Sequence, residues 1–218
     1  MIIVVEGISA AGKTTWCRQH ASEFLVQESY PELRPDRNAD ARGAALLWTD
    51  WNVRRWSEAV EIECEQERAV CDTDPLKLHY IWGLWQIGEA PESHWRYQMK
   101  ATRNALQKCE LGFADLYLVK RIDPRVARQQ REQDTIKMRS NFDLHARLQA
   151  SLHVWYETLA IMLPRRVEWA LPDNLPATAT IDSPSEYRYD VEVFDRLIAG
   201  LPRASYGSKA GRIHAGCS

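Results

Sequence analysis

The residues best suited to chemistry lie near the amino end, in the stretch GISAAGKTT at residues 7–15, which we call the phosphate loop. Gly7, four intervening residues, Gly12, Lys13 and Thr14 have the spacing of a loop that binds phosphate groups. Glycines reach backbone angles closed to other residues, so successive N–H groups can point at one anion. The lysine offers a positive charge to the β- and γ-phosphates, and the threonine hydroxyl suits Mg²⁺. The alternative is an ordinary glycine-rich turn between a strand and a helix.

The spacing predicts that the phosphate loop binds ATP together with Mg²⁺. The residues expected at the nucleotide are Gly7, Ala10, Ala11, Gly12, Lys13, Thr14 and Thr15. The loop must be held between a strand and a helix, and the sequence supplies both. Residues 2–5 are an uninterrupted β-branched run that suits a strand buried on both faces. A helix that opens at Lys13 adds free N–H donors and the positive end of its dipole.

Acidic side chains follow two further predicted strands. Asp72 ends the short apolar run at 69–71 and is a reasonable partner for Mg²⁺, through water. Asp74 or Glu28 would orient or deprotonate an acceptor hydroxyl, because phosphoryl transfer uses a carboxylate beside the attacking group. Both acids have an alternative role. Asp74 precedes Pro75 and can cap the next helix, whereas Glu28 can be a solvated loop acid.

A basic segment follows the fourth predicted strand. Residues 120–139 hold seven basic and three acidic side chains, a local net charge of +4. Arg125, Arg128 and Arg131 would share one face of a helix that begins at Pro124. Such a helix can close over the phosphates as a lid, in which Arg125 and Arg128 would stabilise charge in the transition state. The alternative is a solvated charged face.

Strand-like runs alternate with helical stretches along the chain, which predicts an α/β domain with a doubly wound five-stranded parallel sheet. The strands are predicted at 2–5, 24–26, 69–71, 115–119 and 178–181. The helices are predicted at 53–67, 75–88 and 93–109, from 124 onward, at 144–162 and from 190 to about 200. Ligands of such sheets bind at the carboxyl ends of the strands, where the phosphate loop and all three acids fall.

Length, composition and charge indicate which other classes of protein are excluded. The 218 residues, with 45% hydrophobic and 27% charged side chains, fit one globular domain. The net charge of −2 gives no general attraction to nucleic acid, and no apolar run is long enough to span a membrane. Five cysteines without regular spacing argue against disulfides and zinc, so we predict a cytoplasmic protein. We predict a kinase-like domain at 1–204 with an acceptor insert at about 31–110, the lid at about 120–139, and a flexible tail at 205–218.

The chain resembles the P-loop kinases that phosphorylate nucleosides, nucleotides and other small metabolites. VVEGISAAGKTT matches their opening, and ADLYLVKRIDPRVARQQRE resembles their fourth strand and lid. VCDTDPL is similar to an element of shikimate and ribosylnicotinamide kinases. The first acid of that element accompanies the metal and the second contacts the acceptor hydroxyl, which implies these roles for Asp72 and Asp74. Deoxynucleoside kinases place a glutamate after strand two, where Glu28 falls, but the arginine of their acid–arginine pair is replaced here by Thr73.

Nine tryptophans are an unusual number for this length, and six of them lie between the predicted second and fourth strands. These six are Trp48, Trp51, Trp56, Trp82, Trp85 and Trp95. In the kinases that the chain resembles, this insert builds the acceptor pocket. We therefore expect one or two of these rings to line the pocket and the others to pack in the core. His79 and Tyr80 would reach the same space.

These residues predict an ATP-dependent kinase that transfers the γ-phosphate to a hydroxyl of a small molecule, which is nucleoside-, nucleotide- or antibiotic-like. The alternative is a P-loop NTPase that acts as a switch or sensor without transfer. The aromatic insert and the basic lid favour the kinase, since a switch would be expected to have a longer apolar strand before Asp72. The predicted partners are ATP and a hydroxyl acceptor, without nucleic acid or membrane, and an oligomer is compatible with the sequence.

Overall fold

A five-stranded parallel sheet forms the centre of the computed structural model, which describes residues 1–133, 142–177 and 185–203. Its strands are β1 (Ile2–Gly7), β2 (Leu25–Val26), β3 (Ala69–Asp72), β4 (Leu116–Lys120) and β5 (Val167–Glu168). They lie in the order β2-β3-β1-β4-β5, and all neighbouring strands are parallel. The predicted doubly wound α/β fold is confirmed.

Helices cover both faces of the sheet. Within the described ranges they are α1 (Lys13–His20), α2 (Ala41–Gln66), α3 (Leu78–Gln86), α4 (Glu92–Gln107), α5 (Pro124–Gln133), α6 (Phe142–Arg147), α7 (Gln149–Met162) and α8 (Val191–Gly200). The larger apolar core lies between one face of the sheet and α2, α3, α4, α7 and α8, whereas α1 packs on the other face. No helix in these ranges is long and apolar enough to cross a membrane.

β1 positions the site because it is the middle strand and is buried along its whole length. Its alternate side chains enter the two cores on either face of the sheet. Val5 pairs with Asp72 of β3, and Gly7 pairs with Lys120 of β4. The carboxyl ends of three strands therefore meet where the phosphate loop begins.

Two predicted helix boundaries are wrong. α2 begins at Ala41 rather than near 53, because the side chain of Asp40 caps it by accepting a hydrogen bond from the Gly43 N–H at 2.8 Å. The single helix predicted over 144–162 is two helices, α6 and α7, that meet at Leu148. The predicted acceptor insert therefore contains more helix before residue 53 than expected. Further along the chain, the break between α6 and α7 is one that the periodicity did not indicate.

β5 lies where the sequence predicts no strand. Val167 and Glu168 pair with Tyr117 and Leu118 of β4 and extend the sheet by one short strand. The strand predicted at 178–181 falls outside the described residues. So do residues 134–139 of the predicted lid and the whole predicted tail at 205–218.

Candidate active site

The phosphate loop connects β1 to α1 and owes its shape to backbone angles in the left-handed region. Ala10 has φ 66° and Gly12 has φ 84°. Gly7 lies so close to β4 that a Cβ atom would come 2.9 Å from the carbonyl oxygen of Lys120. The Lys13 Nζ donates a hydrogen bond to the carbonyl oxygen of Gly7 at 2.6 Å, which holds the ammonium group across the loop. The loop therefore presents a helix N-terminus and a positive charge, which is what a phosphate group requires.

A cavity of about 630 Å³ opens from the phosphate loop. Every residue of the loop lines it, and its other walls come from the segment after β2 and from α2, α3, α4 and α6. Its polar and aromatic lining beyond the loop includes Glu28, Tyr30, Arg34, Arg37, Trp48, Asn52, Lys77, His79, Tyr80, Gln98 and His145. This is the volume of a site for a drug-sized ligand, so the cavity has room for an acceptor next to the phosphates of a nucleotide.

The Asp72 carboxylate, at the end of β3, lies beside the first turn of α1. Its Oδ2 accepts a hydrogen bond from the Thr14 hydroxyl at 2.7 Å. Its Oδ1 is buried and has no hydrogen-bond partner among the described residues. Burial raises the pKa of Asp72, and the Thr14 hydrogen bond and the Lys13 charge oppose that rise. A buried carboxylate oxygen with a spare lone pair next to a hydroxyl fits Mg²⁺, which prefers oxygen ligands and keeps several waters.

Asp72→Asn is expected to raise the Mg²⁺ concentration for half-maximal activity by about 10- to 100-fold. The neutral amide attracts a cation less, while its oxygen still accepts the Thr14 hydrogen bond and preserves the local packing. Activity measured against Mg²⁺ concentration checks this, with urea unfolding to verify the fold. Asp50→Asn, on the exposed side of α2, is the matched control. An unchanged Mg²⁺ dependence would exclude a metal role for Asp72.

Glu28 follows β2 and lies in the cavity wall. Its Oε1 accepts a hydrogen bond from the Lys77 Nζ at 2.5 Å. Burial alone would raise the pKa of Glu28, but the charge and hydrogen bond of Lys77 and a hydrogen bond from Tyr30 lower it to about 2. Glu28 is therefore an ionised carboxylate within the cavity at neutral pH.

Asp74 is not among the residues that line the cavity, and its side chain is only 2% exposed. Its Oδ1 accepts a hydrogen bond from the backbone N–H of Leu76 at 2.9 Å, and its Oδ2 accepts one from the Tyr156 hydroxyl at 3.0 Å. Oδ1 therefore stabilises the turn between β3 and α3, and Oδ2 joins that turn to α7. The structure does not bring Asp74 to the cavity lining. Asp74 does not cap α3 either, because α3 begins at Leu78 and its N-cap residue is Lys77, so the carboxylate instead stabilises the turn before that helix.

Asp74→Asn is expected to leave turnover unchanged and to alter the pH dependence of stability. Burial and the nearby Glu6 raise the pKa of Asp74 from 3.8 to about 7. The folded state therefore binds more protons than the unfolded state between these values, so the contribution of Asp74 to stability falls as pH rises through this window. The asparagine amide oxygen can still accept the Leu76 hydrogen bond, and the titration is removed. Urea unfolding at pH 5 and pH 8 should show a smaller loss of stability for Asn than for Asp, and a fall in turnover would restore the catalytic assignment.

The chain matches no protein-family model and no curated protein sequence. A solved structure, a deoxyadenosine kinase from M. mycoides with bound dATP, is similar in fold, with a TM-score of 0.53 and 13% sequence identity. The match covers 79% of this chain and 93% of that chain. The chain shares the α/β fold of that kinase. This supports the resemblance to P-loop kinases as a group, but not the finer resemblance of residues 72–74 to the shikimate kinase element.

Of the lid predicted at about 120–139, the structure describes residues 120–133, which end with α5. Arg125 and Arg128 are exposed on α5 and do not line the cavity, and Arg128 lies 3.6 Å from the carboxylate of Asp143. Ala127, in contrast, is buried in an apolar cluster with Ile8 of the phosphate loop. α5 is therefore attached to the phosphate loop by apolar packing. The structure does not bring Arg125 or Arg128 into the cavity that opens from this loop.

The tryptophans of the insert divide between cavity and core. Trp48 lines the cavity that opens from the phosphate loop, as do His79 and Tyr80. The buried core contains Trp56, Trp82 and Trp95. The remaining two rings are half-buried, since Trp85 stacks on Trp95 and the Trp51 Nε1 donates to the carbonyl oxygen of Ser29 at 3.1 Å. One ring of the six is thus available to an acceptor.

The sequence reasoning missed several polar residues that line the cavity, among them Glu6, Arg37 and Gln98. Glu6 is 3% exposed and accepts hydrogen bonds from the backbone N–H of Gly7 at 2.9 Å and of Asp74 at 3.1 Å. It therefore ties the phosphate loop to the turn before α3. The signal that would have found it is an acid inside an apolar strand, because a buried carboxylate must have donors. Nothing in the local sequence around Arg37 or Gln98 indicates their role.

Proposed function

We propose that the protein is an ATP-dependent kinase that transfers the γ-phosphate of ATP to a hydroxyl group of a small molecule. The observation that carries this proposal is that one cavity contains both the phosphate loop and the ionised Glu28. A nucleotide phosphate at the loop and a hydroxyl at the carboxylate would share that space. The fold that the chain shares with the deoxyadenosine kinase supports the same reaction class.

The side chains have separate roles in this reaction. The amides of the phosphate loop and Lys13 bind and orient the phosphates, and Thr14 and Asp72 would hold Mg²⁺, which neutralises charge on the phosphate oxygens when bound. Glu28 orients the acceptor hydroxyl. Because its pKa is about 2, it is a weak base, so it receives the hydroxyl proton only when the new O–P bond has made that proton acidic.

The acceptor is proposed to be a ring-bearing alcohol, nucleoside-, nucleotide- or antibiotic-like. Trp48 and Tyr80 line the cavity and provide aromatic faces on which a planar ring can stack. The name of the structural relative, a deoxyadenosine kinase, favours a nucleoside-like ring. An NTPase switch would not need a cavity that extends beyond the phosphate loop. The extent of this cavity is therefore the observation against that alternative.

The test is incubation with ATP, Mg²⁺ and a panel of hydroxyl-bearing metabolites, including nucleosides and aminoglycosides, with products followed by mass spectrometry. The expected result is an acceptor-dependent gain of one phosphoryl group, with one ADP formed for each product. Steady ATP hydrolysis that no acceptor stimulates would replace the kinase by the switch.

A further inference from the structure

The part of the cavity beyond the phosphate loop carries more positive than negative side chains. Arg34, Arg37 and Lys77 line it, against the carboxylates of Glu28 and of Glu6, which is buried at the end of β1. Lys77 is already paired with Glu28 at 2.5 Å. Within the described ranges, no carboxylate forms an ion pair with Arg34 or Arg37. Two guanidinium charges in the cavity wall thus have no counter-ion among the residues that the structure describes.

Arg37 is the more enclosed of the two. It is half-buried, its Nη1 donates a hydrogen bond to the Gln98 Oε1 at 3.2 Å, and its guanidinium carbon lies 5.8 Å from the centre of the Trp48 ring. Burial lowers the pKa of Arg37, which is the sign of a cation that has lost water without gaining an anion. An arginine has five N–H donors in a planar fork, so one bond to Gln98 leaves most of the group for a ligand.

Gln98 fixes where that fork can lie. Its Nε2 donates to the Thr49 hydroxyl at 2.9 Å and to the carbonyl oxygen of Ala45 at 3.3 Å, both on α2. Both amide hydrogens are therefore used by the protein, and only the amide oxygen is directed at Arg37. With a side chain just 4% exposed, Gln98 acts as a positioning residue that holds the guanidinium, rather than as a group that itself reads the ligand.

Arg34 converges on the same region. Its guanidinium carbon lies 4.8 Å from the centre of the Tyr30 ring. Arg34, Arg37 and Tyr80 line the same cavity. Burial raises the pKa of Tyr80, and the charges of Arg37 and Arg34 oppose that rise. Glu28, the carboxylate that would repel an anion there, is neutralised by Lys77.

We propose that the acceptor carries an anionic group, a phosphate or a carboxylate, which binds Arg37 and Arg34 while the hydroxyl of the same molecule faces Glu28. This rests on the proposed kinase function and names the substrate class more closely. A guanidinium group binds either anion through two parallel N–H bonds, and such charged hydrogen bonds are about twice as strong as neutral ones. A neutral acceptor would leave the half-buried Arg37 without an anion, and it would bind less well.

The experiment compares pairs of acceptors of which one member carries an anionic group and the other is neutral. The phosphate arm uses adenosine 3′-monophosphate against adenosine, and the carboxylate arm uses hydroxymethylbenzoate against hydroxymethylbenzamide. In at least one arm, the anionic member is expected to have a kcat/KM about tenfold or more above its neutral partner, and the arm that responds identifies the anion. Equal or better use of the neutral member in both arms overturns the proposal.

Arg37→Gln is expected to lower kcat/KM for the anionic acceptor by about 10- to 100-fold and to leave that for the neutral acceptor within about twofold. Arg34→Gln should give a smaller loss of the same kind. The matched control is Arg54→Gln, since Arg54 also lies 5.8 Å from a tryptophan ring, that of Trp51, but outside the cavity lining. An equal loss for both acceptors in the Arg37 variant would overturn the proposal, because a merely structural arginine would have that effect.

Binding separates failure of this inference from failure of the kinase function. Titration calorimetry of adenosine 3′-monophosphate and of hydroxymethylbenzoate, with the phosphate loop filled by saturating Mg²⁺–ADP, reports on the anion site without turnover. Binding that Arg37→Gln abolishes, together with no phosphoryl transfer to any acceptor, supports the anion site and overturns the kinase. Transfer to neutral acceptors, with no Arg37-dependent binding of either anion, supports the kinase and overturns the anion site.

Discussion

Lys13→Ala is expected to lower kcat for phosphoryl transfer by about 10²- to 10³-fold or more, because the ammonium group is the loop's own positive charge at the phosphates. The fold should persist. Among the residues that the structure describes, the Lys13 Nζ makes hydrogen bonds only to the carbonyl oxygens of Gly7 and Ile8 in its own loop. Its loss therefore leaves no group of the described core unpaired. Steady-state kinetics at saturating ATP measure the effect, and thermal unfolding verifies that the variant is folded.

Lys100→Ala is the matched control, since Lys100 is exposed on α4 and does not line the cavity. It removes the same charge from the molecule without touching the phosphate loop, and its kcat should stay within about twofold, as surface substitutions usually do. Retained activity in Lys13→Ala would remove the assignment of the loop to phosphate binding, and with it the basis of the proposed function. A comparable loss in both variants would indicate a general effect of charge.

The features that the sequence predicts correctly are those that depend on neighbours in the chain. The run at 2–5 is β-branched and apolar, so it can be placed in the middle of a sheet without knowing what packs on it. The strand before Asp72 and the helix after Asp123 follow from equally local signals. β5 could not be predicted in this way, because a strand of two residues has almost no sequence pattern and forms by pairing with β4.

The acceptor side of the cavity could not be predicted, because its contacts join distant parts of the chain. Arg37 meets Gln98 across 61 positions, and Lys77 meets Glu28 across 49. The spacing around Asp74 allowed a catalytic role or a helix cap, whereas the carboxylate lies buried against Tyr156 and holds the turn before α3. Local sequence therefore predicts phosphate binding at the loop, whereas the identity of the proposed acceptor depends on which helices the fold brings together.

Glu28→Gln is expected to lower kcat by about 10²- to 10⁴-fold with little change in the KM for ATP. The amide has the shape of the carboxylate, but it cannot take the hydroxyl proton, and it leaves the Lys77 ammonium without its counter-ion. Acceptor-dependent product formation measures the effect. Glu32→Gln is the matched control, because Glu32 is exposed in the same segment and does not line the cavity. An active Glu28 variant would require another group to orient the hydroxyl.

The pH profile of Lys77→Met separates an ionised Glu28 that acts on the hydroxyl from one that merely pairs with lysine. Burial acts to raise the pKa of Glu28, and Lys77 is the main influence that lowers it to about 2. Without the lysine the pKa rises, and since the carboxylate form is the active one, activity is lost at a higher pH as the solution is acidified. The acid limb of kcat/KM should therefore move toward neutral pH in Lys77→Met and disappear when Glu28→Gln is added. An acid limb that stays in place would mean that Glu28 takes no part in catalysis, whatever its distance from the phosphate loop.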